Sequence, residues 1–147
     1  MNKMYYYPSA IANIKGGDKA PNLYGQIKFY QKKGYVLVSA NIKGLPTTDL
    51  GFFGFHIHQG DSCDGIDFSD SKGHFNPDDT THPEHAGDLP PLLLCNGSAY
   101  QTVATNRFSV AHIIGKTVII HSMPDDFTSQ PAGNSGQKIA CGIIKKR

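Results

Sequence analysis

The chain has 147 residues, a length at which one domain buries a sizeable core, and we therefore expect a single domain over residues 1–147. The formal net charge of only +2 argues against a nucleic-acid-binding protein, which needs a strongly basic face. No apolar stretch is long enough to span a membrane and the N-terminal segment lacks a signal-peptide core, so we expect no membrane partner and favour a cytoplasmic location over export with the signal removed.

The N-terminal third has the pattern of β-strands separated by turns. We predict strands at Tyr5 to Ile14, Leu23 to Tyr30 and Tyr35 to Ile42. Turn signals at Gly16-Gly17 and Lys33-Gly34 separate these strands at hairpin-like spacing. The pattern predicts an antiparallel meander and not a βαβ unit.

The next predicted strand, Phe53 to His58, alternates between the two faces of a sheet. His56 and His58 are two residues apart, so both imidazoles leave the same face and can bind one metal ion without bending the backbone. Taken alone the pair is a weak signal, because two partly exposed surface histidines can have the same spacing.

Residues 59–97 lose periodicity and are rich in Gly, Asp, Pro and His, which predicts a long loop that is functional or ordered by metal. Further elements follow: a strand at Ser98 to Thr105, a helical turn at Val110 to Ile114, a strand at Lys116 to His121, a second loop at Ser122 to Gln137 and a last strand through Ile144. About eight strands with irregular connections favour an all-β barrel or sandwich with Greek-key crossings.

Six of the seven histidines lie where they can converge. His74, His82, His85 and Asp88 crowd into the long loop, and His121 ends an apolar strand. Imidazole-rich sites suit copper and zinc, whereas calcium and magnesium prefer oxygen ligands. Six histidines exceed the needs of one tetrahedral ion, but two ions that share a doubly deprotonated imidazole would use them all.

Five motifs in order make a known family recognisable: Gly54-Phe55-His56-Ile57-His58, Gly73-His74-Phe75-Asn76-Pro77, His85-Ala86-Gly87-Asp88-Leu89-Pro90, His121, and Gly133-Asn134-Ser135-Gly136 followed by Ala140-Cys141-Gly142. Over roughly residues 22–144 the chain resembles the copper/zinc superoxide dismutases, in their bacterial form. The resemblance implies an eight-stranded Greek-key β-barrel, an immunoglobulin-like sandwich with two long functional loops.

Residue by residue, the resemblance implies one copper and one zinc ion per chain. The implied copper ligands are His56, His58, His74 and His121, and the implied zinc ligands are His74, His82, His85 and Asp88. His74 is then the bridge between the ions. His82 lies only three residues before His85, so the zinc loop is shorter than usual for the family.

Further roles follow from the same resemblance. Asp125 matches the carboxylate that accepts a ring N–H from one histidine of each metal site, although an aspartate after Pro124 also suits a plain turn. Three cysteines leave at most one pair plus one free thiol. The family pattern pairs Cys63 with Cys141, and we expect Cys95 to be a buried free thiol. His112 matches no ligand and is expected at the surface.

One position departs from the family. Lys138 stands where an arginine is usual, and lysine is a point charge that lacks the planar fork with which arginine holds an anion. We assign Lys138 a catalytic role in attracting the substrate, with Lys116 as a second candidate.

The implied activity is disproportionation of the superoxide anion to dioxygen and hydrogen peroxide, with His74 as the group that carries a proton. Family members occur as homodimers and as monomers. An alternative is a non-catalytic zinc- or copper-binding protein on the same fold, and a poorer one is a zinc hydrolase with Glu84 as base.

Overall fold

Eight antiparallel strands form one sheet in the computed structural model, which describes residues 7–147. The strands are β1 Ala10–Gly16, β2 Tyr24–Lys32, β3 Tyr35–Lys43, β4 Phe52–His58, β5 Asp88–Leu93, β6 Ala99–Thr105, β7 Thr117–His121 and β8 Lys138–Lys146. A 3₁₀ segment spans Ile66–Ser71, and a short helix, α1, spans Val110–Ile113. The start of the first predicted strand, at residues 5–6, lies outside the described residues.

The strand order β5-β4-β7-β8-β1-β2-β3-β6 wraps the sheet into a nearly closed barrel. β4 pairs with β7, β8 with β1 and β3 with β6, so long connections cross the barrel ends. The Gln101 side chain donates a hydrogen bond of 3.2 Å to the Pro90 carbonyl and so links β6 to β5, the two edge strands. The prediction of an all-β, eight-stranded barrel is confirmed.

β5 corrects the prediction that all of residues 59–97 form a loop. Pro90 and Pro91 hide the strand pattern in the sequence, because proline lacks an N–H for a sheet ladder. β5 is tolerated as a strand because it is an edge strand, and its prolines lie where the register shifts between Phe53 and Phe55 of β4. The loop is therefore shorter, and its last ligand, Asp88, begins a strand.

β4 is buried on both faces, which places the histidines in the interior. Phe53, Phe55 and Ile57 point into the barrel core and are at most 1% exposed. His56 and His58 point the other way and are also buried, because the long loops cover that face. The loop after β7 approaches so closely that a Cβ on Gly54 would lie 2.7 Å from the Cβ of Ser135.

Cys63 and Cys141 form a disulfide that joins the loop after β4 to β8. The prediction that Cys95 is buried is wrong: it is a free, exposed cysteine. It lies beyond the end of β5, in a turn whose Cys95 and Ser98 pair as an isolated bridge. No helix within residues 7–147 is long and apolar enough to cross a membrane.

Candidate metal centre

Two clusters of potential metal ligands meet at His74. The first cluster consists of His56, His58, His74 and His121, and the second of His74, His82, His85 and Asp88. Within each cluster, the ligand atoms all lie within 4.8 Å of one another. The two clusters contain every residue to which the family resemblance assigns a metal, and the only residue they share is the expected bridge.

Hydrogen bonds fix which nitrogen carries the proton in three of the four rings of the first cluster. His58 Nδ1 donates to the Lys72 carbonyl at 2.8 Å, and His121 Nδ1 donates to the Gly136 carbonyl at 3.5 Å. A carbonyl oxygen can only accept, so Nδ1 is protonated in both rings, and Nε2 of each neutral ring presents a lone pair. His56 is held in the opposite tautomer, because its Nε2 donates to Asp125 at 2.8 Å.

His58 Nε2 and His121 Nε2 lie 3.2 Å apart, with no proton to share between two lone pairs. This separation matches the edge of a tetrahedron around a metal ion, about 3.3 Å for metal–nitrogen distances of about 2.0–2.1 Å. Among the described residues, three buried ring nitrogens also have no hydrogen-bond partner: His56 Nδ1, His74 Nε2 and His82 Nδ1. Unpartnered buried polar atoms are costly, and a cation between these nitrogens would satisfy them.

Asp88 is the centre of the second cluster. Its Oδ1 lies 2.8 Å from His74 Nδ1, and its Oδ2 lies 3.0 Å from His82 Nδ1 and 3.2 Å from His85 Nδ1. The His82 contact is close without having hydrogen-bond geometry, as expected for two ligands of one ion. Three imidazoles and one carboxylate form a donor set that suits tetrahedral zinc.

Asp125 connects the two clusters by hydrogen bonds to the ring nitrogens of His56 and His82 that lie opposite their unpartnered Nδ1 atoms. Its Oδ2 accepts from His56 Nε2 and its Oδ1 from His82 Nε2, both at 2.8 Å, and the carboxylate is 1% exposed. Gly133 has a φ of +69° and packs against this bridge, where a Cβ would lie 2.0 Å from Asp125 Oδ1. This contact explains why the loop needs glycine at that position.

Several groups that position the ligands could not be identified from sequence. Gln130 pairs with the backbone of His82 through its side-chain amide, whose oxygen accepts from the His82 N–H at 2.9 Å and whose nitrogen donates to the His82 carbonyl at 2.7 Å. Arg107 donates to the carbonyls of Pro83 at 2.6 Å and His85 at 3.2 Å. Neither side chain belongs to a motif, and the carbonyls of Lys72 and Gly136 carry no side-chain signal at all.

The electrostatics favour neutral rings for His58 and His121 and an ionised Asp125, which are the forms that bind metals or orient their ligands. Burial, together with the nearby rings of His56 and His74, lowers the pKa of His121 to about 3. Burial likewise lowers the pKa of His58 well below its usual value. Burial alone would raise the pKa of Asp125, but the hydrogen bonds from His56 and His82 outweigh it and hold the pKa at about 2.

A pocket of about 370 Å³ opens over the first cluster, with His58, His74 and His121 in its lining. Lys72 and Lys138 also line it and bring positive charge to its walls. The Lys138 ammonium donates to Ser71 Oγ and to the Lys72 carbonyl, each at 2.8 Å. Lys138 is thus both a charge at the pocket and an anchor for the loop.

The remaining predicted residues lie apart from the clusters. The Lys116 ammonium sits over the Phe75 ring, 4.7 Å from its centroid, and outside the residues that line this pocket. Glu84 is exposed and belongs to neither cluster, which counts against the hydrolase alternative. His112 is exposed and caps α1 together with Ser109.

Comparison with known proteins agrees with this geometry. The family model for copper/zinc superoxide dismutase matches residues 23–144. The chain is 36% identical over 136 residues to superoxide dismutase [Cu-Zn] 2 of Aquifex aeolicus, covering 82% of this chain and 78% of that relative. It is 32% identical over 133 residues to superoxide dismutase [Cu-Zn] of Legionella pneumophila, with 85% and 80% covered. A relative from Arabidopsis thaliana, superoxide dismutase [Cu-Zn] 3, is 34% identical over 153 residues, with 92% and 88% covered.

Proposed function

The chain belongs to the copper/zinc superoxide dismutase family, and we propose that its first cluster holds copper, its second cluster holds zinc, and the pair disproportionates superoxide. In this reaction two superoxide anions and two protons give dioxygen and hydrogen peroxide. The observation that carries the proposal is the position of His74, whose two ring nitrogens face different clusters.

Copper, when bound by His56, His58, His74 and His121, supplies the one-electron redox chemistry, since zinc in the second cluster has no accessible second oxidation state. Hydrogen bonds within the protein hold the ligand rings in the orientation that copper binding requires. Carbonyl acceptors hold the rings of His58 and His121, and Asp125 holds the ring of His56. Such partners set the orientation and basicity of metal ligands.

His74 is the group placed to move a proton. Its Nδ1 is held against Asp88 at 2.8 Å, while its Nε2 has no hydrogen-bond partner and the ring lines the pocket. Imidazole is a side chain that can accept and release a proton. A proton held at Nε2 would reach the product anion at the pocket floor without crossing the protein.

Lys138 and Lys72 would draw the anionic substrate into the pocket. Electrostatic steering of superoxide is an established property of the superoxide dismutases as a class. What this chain adds is a lysine in place of the arginine. Because the Lys138 ammonium is bound to Ser71 and Lys72, its charge is fixed in position, but it offers no planar fork to the anion.

Metal reconstitution tests the proposal. We expect purified metal-free protein to take up one copper and one zinc ion per chain, to show an electronic spectrum of imidazole-bound copper, and to accelerate the decay of superoxide. His74→Ala is expected to abolish the activity and weaken both sites, whereas His112→Ala, which changes an exposed histidine, should leave both unchanged. Protein that loads copper and does not accelerate the decay would instead support the non-catalytic, metal-binding alternative.

Two finer points remain proposals. Pairing into a homodimer is supported by the exposed Phe52 and Leu93, which are neighbours on the β4–β5 edge, and light scattering of the Leu93→Lys variant tests it.

A cytoplasmic location is opposed by the Cys63–Cys141 disulfide, because such bonds are rare in reducing compartments. Cell fractionation decides it.

A further inference from the structure

A second concave surface lies on the outer face of β1, β2, β3 and β6, on strands that carry none of the metal ligands. It encloses about 600 Å³, more than the pocket over the metal centre, and we call it the sheet groove. A neighbouring concavity of about 440 Å³ shares Tyr30 and Ser39 with it and extends it along β2 and β3. The groove is therefore elongated.

Strand register places the groove side chains in rows across the sheet. One row runs Asn13, Gln26, Asn41 and Tyr100, because each is the cross-strand partner of the next. Residues directly opposite each other in a sheet point to the same face. With strands about 4.8 Å apart and same-face residues about 6.7 Å apart along a strand, three such rows present roughly 14 Å by 13 Å of ordered side chains.

Two flanking rows add charge and aromatic rings. Lys15, Tyr24 and Lys43 are successive partners on one side of the first row, and Lys28 and Ser39 are partners on the other. Tyr24 is 62% exposed and Tyr100 is 75% exposed. Exposed tyrosine rings are amphipathic contact surfaces that lose little entropy on binding.

The charged side chains that line the groove are all positive. None of the residues that line it is acidic, and strands β1, β2, β3 and β6 contain no Asp or Glu. Within residues 7–147, no carboxylate lies at ion-pair distance from Lys28 or Lys43. The groove therefore complements a ligand that carries negative charge.

The polar groups of the groove indicate which kind of anion fits. Amide and hydroxyl side chains, those of Asn13, Gln26, Ser39 and Asn41, outnumber the two lysines in the lining. Gln26 Nε2 donates to Asn13 Oδ1 at 2.9 Å, which holds both amides in place. A ligand matched to this surface is rich in hydroxyl groups, carries acidic groups and is built of ring units. A nucleic acid instead presents phosphates, for which arginine is the preferred partner, and few free hydroxyl groups, and the groove lacks arginine.

We propose that the sheet groove binds an acidic oligosaccharide, with tyrosine rings stacking on the sugars, amides and hydroxyls bonding to their hydroxyl groups, and Lys28 and Lys43 pairing with carboxylates. Barrel sheet faces elsewhere are known to bind oligosaccharides and oligonucleotides, so the architecture suits the role. This inference does not depend on the metal centre.

Calorimetric titration with a galacturonate hexamer tests the proposal. The metal-loaded protein is titrated with this hexamer, with an uncharged galactose hexamer and with a single-stranded thymidine hexanucleotide, at about 0.15 M salt, where long-range attraction is screened. We expect binding of the galacturonate hexamer at least about tenfold tighter than of the other two, as charge and ring recognition combine.

Variants locate the site. Lys43→Glu is expected to weaken galacturonate binding about tenfold, and Tyr100→Ala about fivefold. Lys33→Glu makes the same charge change in the β2–β3 turn, outside the groove lining, and should alter binding less than about twofold. These exposed positions are remote from the metal ligands, so unchanged dismutation by each variant shows that it is folded.

Three results would overturn the proposal: no measurable binding of the galacturonate hexamer, equal weakening by Lys43→Glu and Lys33→Glu, or tighter binding of the thymidine hexanucleotide. The last result would identify the groove as a nucleic-acid surface. A preference for galacturonate, with binding weakened by Lys43→Glu and Tyr100→Ala but not by Lys33→Glu, supports the proposal.

Discussion

Asp125 shows how much one side chain controls in this site. It touches one histidine from each cluster, and both contacts are charge-assisted hydrogen bonds from ring nitrogens that do not face a metal. The carboxylate therefore sets the tautomers of His56 and His82 together. Because the Phe127 amide also donates to it at 2.7 Å, its own position is fixed by the loop.

Replacing Asp125 by asparagine tests this role. An amide can accept through one oxygen only and presents an N–H₂ group to the second ring, so one histidine loses its partner. We expect copper or zinc affinity to fall about 10- to 100-fold. Competition with a chelator of known affinity measures the loss. The matched control is Asp126→Asn, since Asp126 only caps a turn through Thr128 and Ser129.

The role of the Lys138 charge can be tested by reversing its sign. We expect Lys138→Glu to lower the second-order rate with superoxide and to weaken its dependence on ionic strength, because a negative charge at the pocket repels the anion. Stopped-flow decay at low and at physiological salt measures both effects. Lys146→Glu carries the same charge change at the far end of β8. If the two variants have equal rates at low salt, Lys138 does not attract the substrate.

At the scale of elements, β8 holds the loop after β4 by two independent connections. Cys141 bonds covalently to Cys63, and Lys138 donates hydrogen bonds to the end of the 3₁₀ segment. The same loop supplies the Lys72 carbonyl that orients His58. The geometry of a ligand on β4 thus depends on how β8 fastens a loop.

Removing the disulfide should therefore lower stability and loosen the copper site. The bond closes a separation of 78 residues, for which chain entropy predicts about 4 kcal/mol of stabilisation. We expect Cys63→Ser to lose roughly this free energy of unfolding in denaturant titration and to bind copper more weakly. Cys95→Ser, at the exposed free cysteine, should change the free energy of unfolding by less than about 0.5 kcal/mol. Equal stability of the two variants contradicts the role given to the bond.

At the scale of the whole molecule, the barrel and its loops bury histidines of the metal centre, and burial favours the neutral rings that bind a metal ion. His56, His58 and His121 are at most 3% exposed, and all three have a lowered pKa. Without metal they remain neutral in the folded protein at a pH where they would be protonated in the unfolded chain. The stability of the metal-free protein is therefore coupled to pH.

Acid should destabilise the metal-free protein through these histidines. Burial places the folded pKa of His121 at about 3, below the unfolded value of about 6.5, so the unfolded chain binds more protons between these values. The contribution to stability is complete above about pH 6.5 and is lost as the pH falls toward 3. From His121 alone we expect metal-free protein to lose roughly 3 kcal/mol between pH 7 and pH 4. Denaturant titration across this range measures the loss. A free energy of unfolding that does not change between pH 7 and pH 4 would contradict this prediction. The control variant His112→Gln, at an exposed histidine, should show the same pH dependence as the unchanged protein.

The sequence by itself determined the features that are local in the chain. Alternation along Phe53 to His58 predicted that one face of a strand is apolar and the other carries two histidines, because side chains alternate whatever the rest of the fold does. The ordered motifs indicated the family, its barrel and the residues of both clusters. The sequence pattern did not indicate β5, because Pro90 and Pro91 lack the N–H groups that a strand donates to its neighbour, and this segment was predicted to be part of a loop.

Only the tertiary structure decided the features that depend on contacts between distant segments. Backbone carbonyls of Lys72 and Gly136 orient His58 and His121, and any residue can supply a carbonyl, so the sequence carries no sign of them. Cys95 is exposed because the chain turns after β5, and the Lys138 ammonium is bound to the loop because β8 packs beside it. The sheet groove likewise exists only because strand register aligns residues of four strands into rows.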